Sequence, residues 1–146
     1  MIKRLKKFIK DNNIETCNGK LVLYKAVSRE WGSLWVRNNA YLEYSNAERG
    51  TYDAYLPSTE VRTDHWDPNP DWICTSGLHV CALAEAIKFL DPLTYFAVGD
   101  TRRRLIMVLV DPDDVVAVPF YSAKIRCKRL VVVGEVTKGG KLRTRG

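Results

Sequence analysis

The chain has 146 residues, 46% of them apolar and 27% charged, with a formal net charge of +6. That length and balance fit one globular domain with a core of its own and exclude a disordered or fibrous chain. No apolar run nears the roughly 18 residues of a membrane span. Lysines interrupt the N-terminal apolar positions where a signal peptide would lie, so a cytoplasmic protein without a membrane partner is expected.

Residues 1–12 read as a basic amphipathic helix. Ile2, Leu5, Phe8 and Ile9 share one face, Lys3, Arg4, Lys6, Lys7 and Lys10 supply the other, and Asp11-Asn12-Asn13 ends it. So short a helix makes a weak interfacial anchor, which favours docking on the core. Leu21 to Val27 reads as a strand, apolar on both faces except for Lys25; a charge in mid-strand is either paired or aimed into a cleft. Residues 28–70 are irregular and aromatic, with Trp31, Trp35, Tyr41, Tyr44, Tyr52, Tyr55 and Trp66. Packing over the sheet is the favoured role for these rings, with base stacking as the alternative. The Asp64-His-Trp-Asp-Pro-Asn-Pro70 run is a loop, read as an exposed turn rather than an acid–base pair.

The most informative stretch is Cys74-Thr-Ser-Gly-Leu-His-Val-Cys81 and the helical pattern over 82–90 that follows. A Gly turn, a short strand and a helix start bring backbone N–H groups close to His79, one of two histidines, and suit a small polar ligand. In the helix, Leu83, Ala86, Ile87 and Leu90 form a stripe expected to face the core, and Glu85 with Lys88 a surface pair. Leu105 to Val110 reads as a central strand buried on both faces, Val115 to Val118 as a short strand, and Ile125 to Val136 as the last strand region. Gly139-Gly140 opens a basic tail over 137–146, expected to be mobile. The whole reads as one α+β domain with a mainly antiparallel sheet and its core over 21–136.

Four cysteines, Cys17, Cys74, Cys81 and Cys127, are expected as reduced, buried thiols. A zinc site from Cys74, His79, Cys81 and Cys127 is disfavoured, because Cys74-x4-His79-x-Cys81 lacks the close cysteine pair of most structural sites. No metal or cofactor is expected, and no catalytic triad or carboxylate pair can be assigned.

Four separated motifs resemble an uncharacterised, rIIB-like family of small bacteriophage proteins. They are Tyr24-Lys-Ala-Val27, Cys74-x-x-Gly-Leu-His-Val80, Val110-Asp-Pro-x-Asp-Val-Val-x-Val118 and Lys124-Ile-Arg-Cys-Lys128. The resemblance implies a virus-encoded accessory protein in the cytoplasm of an infected bacterium, one that antagonises or redirects a host process. A looser likeness is architectural: the order of strand, Gly turn with helix, and Val-rich strand ending in Asp-Pro-x-Asp-Val-Val is similar to the ADP-ribosyltransferase fold. That family brings a catalytic Glu to a late strand, where it stabilises a developing ribosyl cation. Here Lys128-Arg129 stands in that place, and like charge cannot stabilise a cation. The likeness therefore implies a cleft for a nucleotide-like anion, lined by Lys25, Thr75, Ser76, Gly77, His79, Arg126 and Arg129.

A binding role towards a host protein or a nucleotide-like ligand is thus the leading expectation. Transferase activity through Glu60 or Glu135 is the second, and nucleic-acid binding through the basic clusters the third.

Overall fold

Asn18 and Gly19 start the sheet. Both have positive φ, 50° and 79°, and they join β1 (Thr16–Cys17) to β2 (Lys20–Val27) as the two-residue turn that an Asn-Gly pair favours. The computed structural model of the chain describes residues 1–37, 40–43, 54–72, 76–90, 103–120, 122–137 and 139–145, with backbone alone at 35–37 and 40–43. Ahead of the hairpin, α1 (Ile2–Asp11) buries Leu5 and Phe8 and turns its lysines outward, so the helix docks as its apolar stripe dictates. Within the stretch read as irregular, β3 (Leu34–Arg37) and β4 (Ala40–Glu43) pair as a separate hairpin, and β5 (Glu60–Arg62) joins the main sheet.

The remaining elements are β6 (Leu78–Cys81), α2 (Leu83–Lys88), β7 (Arg104–Val110), β8 (Val115–Ala117), β9 (Lys124–Cys127), β10 (Arg129–Val136) and β11 (Leu142–Arg143). Every registered pair is antiparallel, and the main sheet runs β11-β10-β7-β2-β6-β9-β8, with β1 added on β2 and β5 on β10. The chain is thus an α+β fold dominated by an antiparallel sheet.

One feature of this order decides the shape. β9 and β10 lie well apart in the sheet, yet Lys128 alone separates them in the chain. The sheet must therefore bend back on itself, with Lys128 at the corner where one long strand changes partners. Both backbone groups of that corner residue are satisfied: its N–H donates to the Asp114 carbonyl (2.9 Å) and its carbonyl accepts from Thr63 N–H (3.0 Å). At the other junction, β2 meets β6 through one registered pair, Tyr24 with Cys81.

The bent sheet encloses one inner core, to which Leu21, Leu23 and Val27 of β2, Ile106, Val108 and Val110 of β7, Leu78 and Val80 of β6, Ile125 of β9 and Leu130 of β10 contribute by period-two alternation. Ile106 is wholly buried; truncating it to alanine would cost about 2–5 kcal/mol. On β7 the inner residues are fully enclosed, while Met107 and Leu109 on the outer face are partly open, so burial of this strand is complete on one face.

A smaller outer cluster forms where α2 packs through Ala86 against Cys81 and Leu105, with Tyr24 and Leu90 alongside. The stripe expected over 82–90 is corrected here. Leu83 and Ile87 are 41% and 49% exposed, because a helix of six residues with a small residue at its contact point touches the sheet along a narrow line. Lys88 and Glu85 do pair on its surface, at 3.6 Å.

The C-terminal glycines also act differently from expectation. Gly139 and Gly140 have φ of 86° and 78° and reverse the chain, so that Leu142 and Arg143 pair with Val136 and Glu135 of β10. Gly134 allows this close approach, since a Cβ there would run into the Arg143 carbonyl.

Candidate functional site

Gly77 has φ of 134°, a conformation that disfavours any side chain, and it opens β6. The space a Cβ would need is filled by the aliphatic stem of Arg126, with Cδ 3.3 Å and Cβ 3.4 Å from the Cβ position. Arg126 lies on β9 directly across from His79 of β6, on the sheet's outer side, and is 0% exposed. Its guanidinium is committed to backbone. Nε donates to the Asp67 carbonyl (2.8 Å), Nη2 to the Asn69 carbonyl (2.5 Å) and Nη1 to the Trp72 carbonyl. Hydrogen bonds from a charged donor are the stronger kind, and here three of them grip one loop.

The loop is further ordered by its own sequence. Asn69 N–H donates to Asp67 Oδ1 (2.8 Å) and Asp71 N–H to Asn69 Oδ1 (3.0 Å), two successive side-chain-closed turns. Asp67 N–H donates to the Ser76 carbonyl (2.9 Å), which ties the loop to the start of β6. Trp66 and Trp72 stand on this locked frame 40% and 58% exposed, with Lys128 Nζ 5.5 Å from the Trp66 ring. His65 is exposed, as expected for a turn, and its N–H is taken up by Thr63 Oγ1.

Of the residues expected to line an anion cleft, Ser76, Gly77, His79 and Arg126 do come together, around this loop. Lys25 reaches them from the inner face of β2: its Nζ donates to the His79 carbonyl (2.8 Å) and lies 5.1 Å from the Tyr55 ring. Lys25 is 9% exposed, and a buried ammonium needs such acceptors. Arg129 lies elsewhere. It is half-exposed on β10, where its Nε pairs with Asp114 (3.0 Å) and more loosely with Glu60 (3.8 Å); the hydrogen bond it donates to Asp114 raises its pKa further. Thr75 and Cys74 fall outside the described residues. The arginine and lysine head groups thus bind acceptors of the chain itself.

The acids considered for a transferase are likewise engaged. Glu60 faces Arg129, and Glu135 is held between Arg104 (3.0 Å) and Arg143 (2.5 Å) with its side chain 13% exposed. Burial pushes the Cys81 and Cys127 thiols up to about 12, so neither is a nucleophile near neutral pH. Among the described residues no three His, Cys, Asp or Glu side chains are grouped to hold a metal ion, and no helix is long and apolar enough to cross a membrane. Cations of the basic stretches around 103–104 and 124 are also engaged: Arg103 donates to the Phe89 carbonyl, Arg104 stacks on Trp31, and Lys124 lies over Phe89.

Sequence reasoning found the strand and the Gly turn but missed what they support. The overlooked signal is the Asp-Pro-Asn-Pro-Asp-Trp run over 67–72, in which prolines stiffen the chain and Asx residues close turns between the exposed indoles of Trp66 and Trp72. Comparison with protein-family models, with curated proteins and with solved structures returns no match for this chain.

Proposed function

We propose that this chain is a phage-encoded accessory protein that works without catalysis, by docking the Trp66–Trp72 loop onto a host bacterial protein. The observation that carries the reading is the commitment of a fully buried arginine to three carbonyls of an exposed loop bearing two open tryptophans. A loop fixed before binding loses little entropy when it docks, and tryptophan is among the residues that dominate interface energetics. Asp64 and Asp71 flank the indoles, are exposed, and form no ion pair among the described residues. The complementary partner surface is an apolar pocket with a basic rim.

Native mass spectrometry of the protein purified from bacterial cells with its partners retained tests this. The expected result is a stoichiometric complex with one host protein, lost in Trp66→Ala/Trp72→Ala and kept when Lys3, Lys6 and Lys10 are changed to Gln. A nucleotide-sized ligand or bound nucleic acid, insensitive to the indoles, would overturn it.

A further inference from the structure

We propose a second binding site, independent of the indole loop, that takes a monocarboxylate carried on an apolar body. It lies between α1 and the chain that follows β8. There Arg4 Nη2 is shielded from solvent and finds no hydrogen-bond partner among the described residues. A guanidinium donor cut off from both water and an acceptor is destabilising until an acceptor reaches it, and such orphans call for a specific explanation.

The surroundings supply one. A cavity of about 500 Å³, within the range that holds small ligands, opens against Arg4. The guanidinium lies over the Phe120 ring, Cζ 3.5 Å from its centroid. Stacking fixes the plane of the planar donor fork, which is the geometry that matches a carboxylate. Charge then selects among anions. Lys7 and Asp11 also line the cavity and offset one another at 2.7 Å, so Arg4 leaves one net positive charge. A phosphate would bring a second negative charge beside Asp11; a carboxylate brings one and is planar. The rest of the lining is partly apolar, with Phe8, Val118, Pro119 and the half-exposed Phe120. The ligand class is therefore a carboxylate on a short aliphatic or aromatic group, supplied either by a free organic acid or by the C-terminus of a peptide.

Titration of the full-length protein with hexanoate, hexanamide, inorganic phosphate and N-acetyl-glycyl-leucine, followed by amide NMR, tests the assignment. Hexanoate is expected to saturate shifts at Arg4, Phe8, Phe120 and Ser122, with hexanamide and phosphate each at least about tenfold weaker. Arg4→Gln should weaken hexanoate by about ten- to hundredfold, and Arg4→Lys, which keeps charge without the fork, by less. Tighter binding of the peptide than of hexanoate would assign the source to a chain terminus, and weaker binding to a free acid. Absence of shifts at these residues, equal binding of hexanamide, phosphate binding as tight as hexanoate, or wild-type affinity in Arg4→Gln would each overturn the proposal. The hexanoate–hexanamide comparison uses the unmodified protein, so a folding defect in a variant cannot obscure the outcome.

Discussion

Arg126 and Arg4 are both drawn away from bulk water, and they end in opposite states. Every nitrogen of the Arg126 guanidinium donates to a backbone carbonyl of the 67–72 loop, whereas Arg4 stacks on Phe120 and leaves Nη2 without an acceptor. The difference that matters is acceptor supply, since both carry the same charge. A cation with its donors filled by its own chain is a structural clamp, and one left short is a place for a ligand. Cationic residues clustered in a sequence cannot reveal which of the two each will become.

The largest effect should follow from breaking the filled arginine. Arg126→Met keeps an apolar stem over Gly77 but removes the donors to three carbonyls. With water recovering part of the loss at a surface loop, about 2–4 kcal/mol of stability should disappear in urea denaturation. Gly77→Ala attacks the same clamp from below, through an unfavourable φ of 134° and crowding of the Arg126 stem. It should cost about 1–3 kcal/mol by the same assay. Trp66→Ala and Trp72→Ala should separate display from support. Each should change stability by less than about 1 kcal/mol while weakening partner binding by about 2 kcal/mol or more in calorimetry with the captured host protein.

The remaining expectations concern pH and thiol chemistry. Burial holds the Cys81 and Cys127 thiols neutral up to about 12, against an ordinary value of 9.0. The unfolded chain therefore loses these protons first, and stability should decline as pH rises from 9 towards 12. Exposed Cys17 should react with a disulfide reagent in the native protein, and Cys81 and Cys127 on unfolding. At the acid end, the N–H of Asp113 and then Lys20 hold the Asp111 carboxyl below its usual range. Its contribution is present above the ordinary carboxylate pKa and should fade as pH falls through the lowered value, a shallow slope in acid denaturation because the group is exposed.

Much of the scaffold was legible from pattern alone. The apolar runs Leu21 to Val27 and Leu105 to Val110 mark two strands, which pair with each other in the structure, and the amphipathic stripe of α1 gives a docked helix. The α+β class follows from those elements. The α2 stripe misled, because periodicity states which residues share a face and not how much surface a short helix has to cover. The Gly139-Gly140 pair was ambiguous for a related reason: glycine permits both release and a tight reversal, and pairing with β10 selects the second. At the site, the turn at Gly77 and the facing residues His79 and Arg126 were legible as a cluster. That Arg126 would turn to carbonyls 54 to 59 residues away was not, since backbone acceptors have no sequence signature. Nor could Arg4 be linked to Phe120, which is distant from it in the chain.

The clamp itself is most directly tested by amide hydrogen exchange of the wild type and Arg126→Met. Asp67 N–H, bonded to the Ser76 carbonyl beneath the guanidinium, should be protected in the wild type and exchange freely in the variant, while β7 amides stay protected in both. Equally fast exchange at Asp67 in the two proteins would mean that the indoles stand on a loose loop, and that a pre-organised docking surface is the wrong description of this molecule.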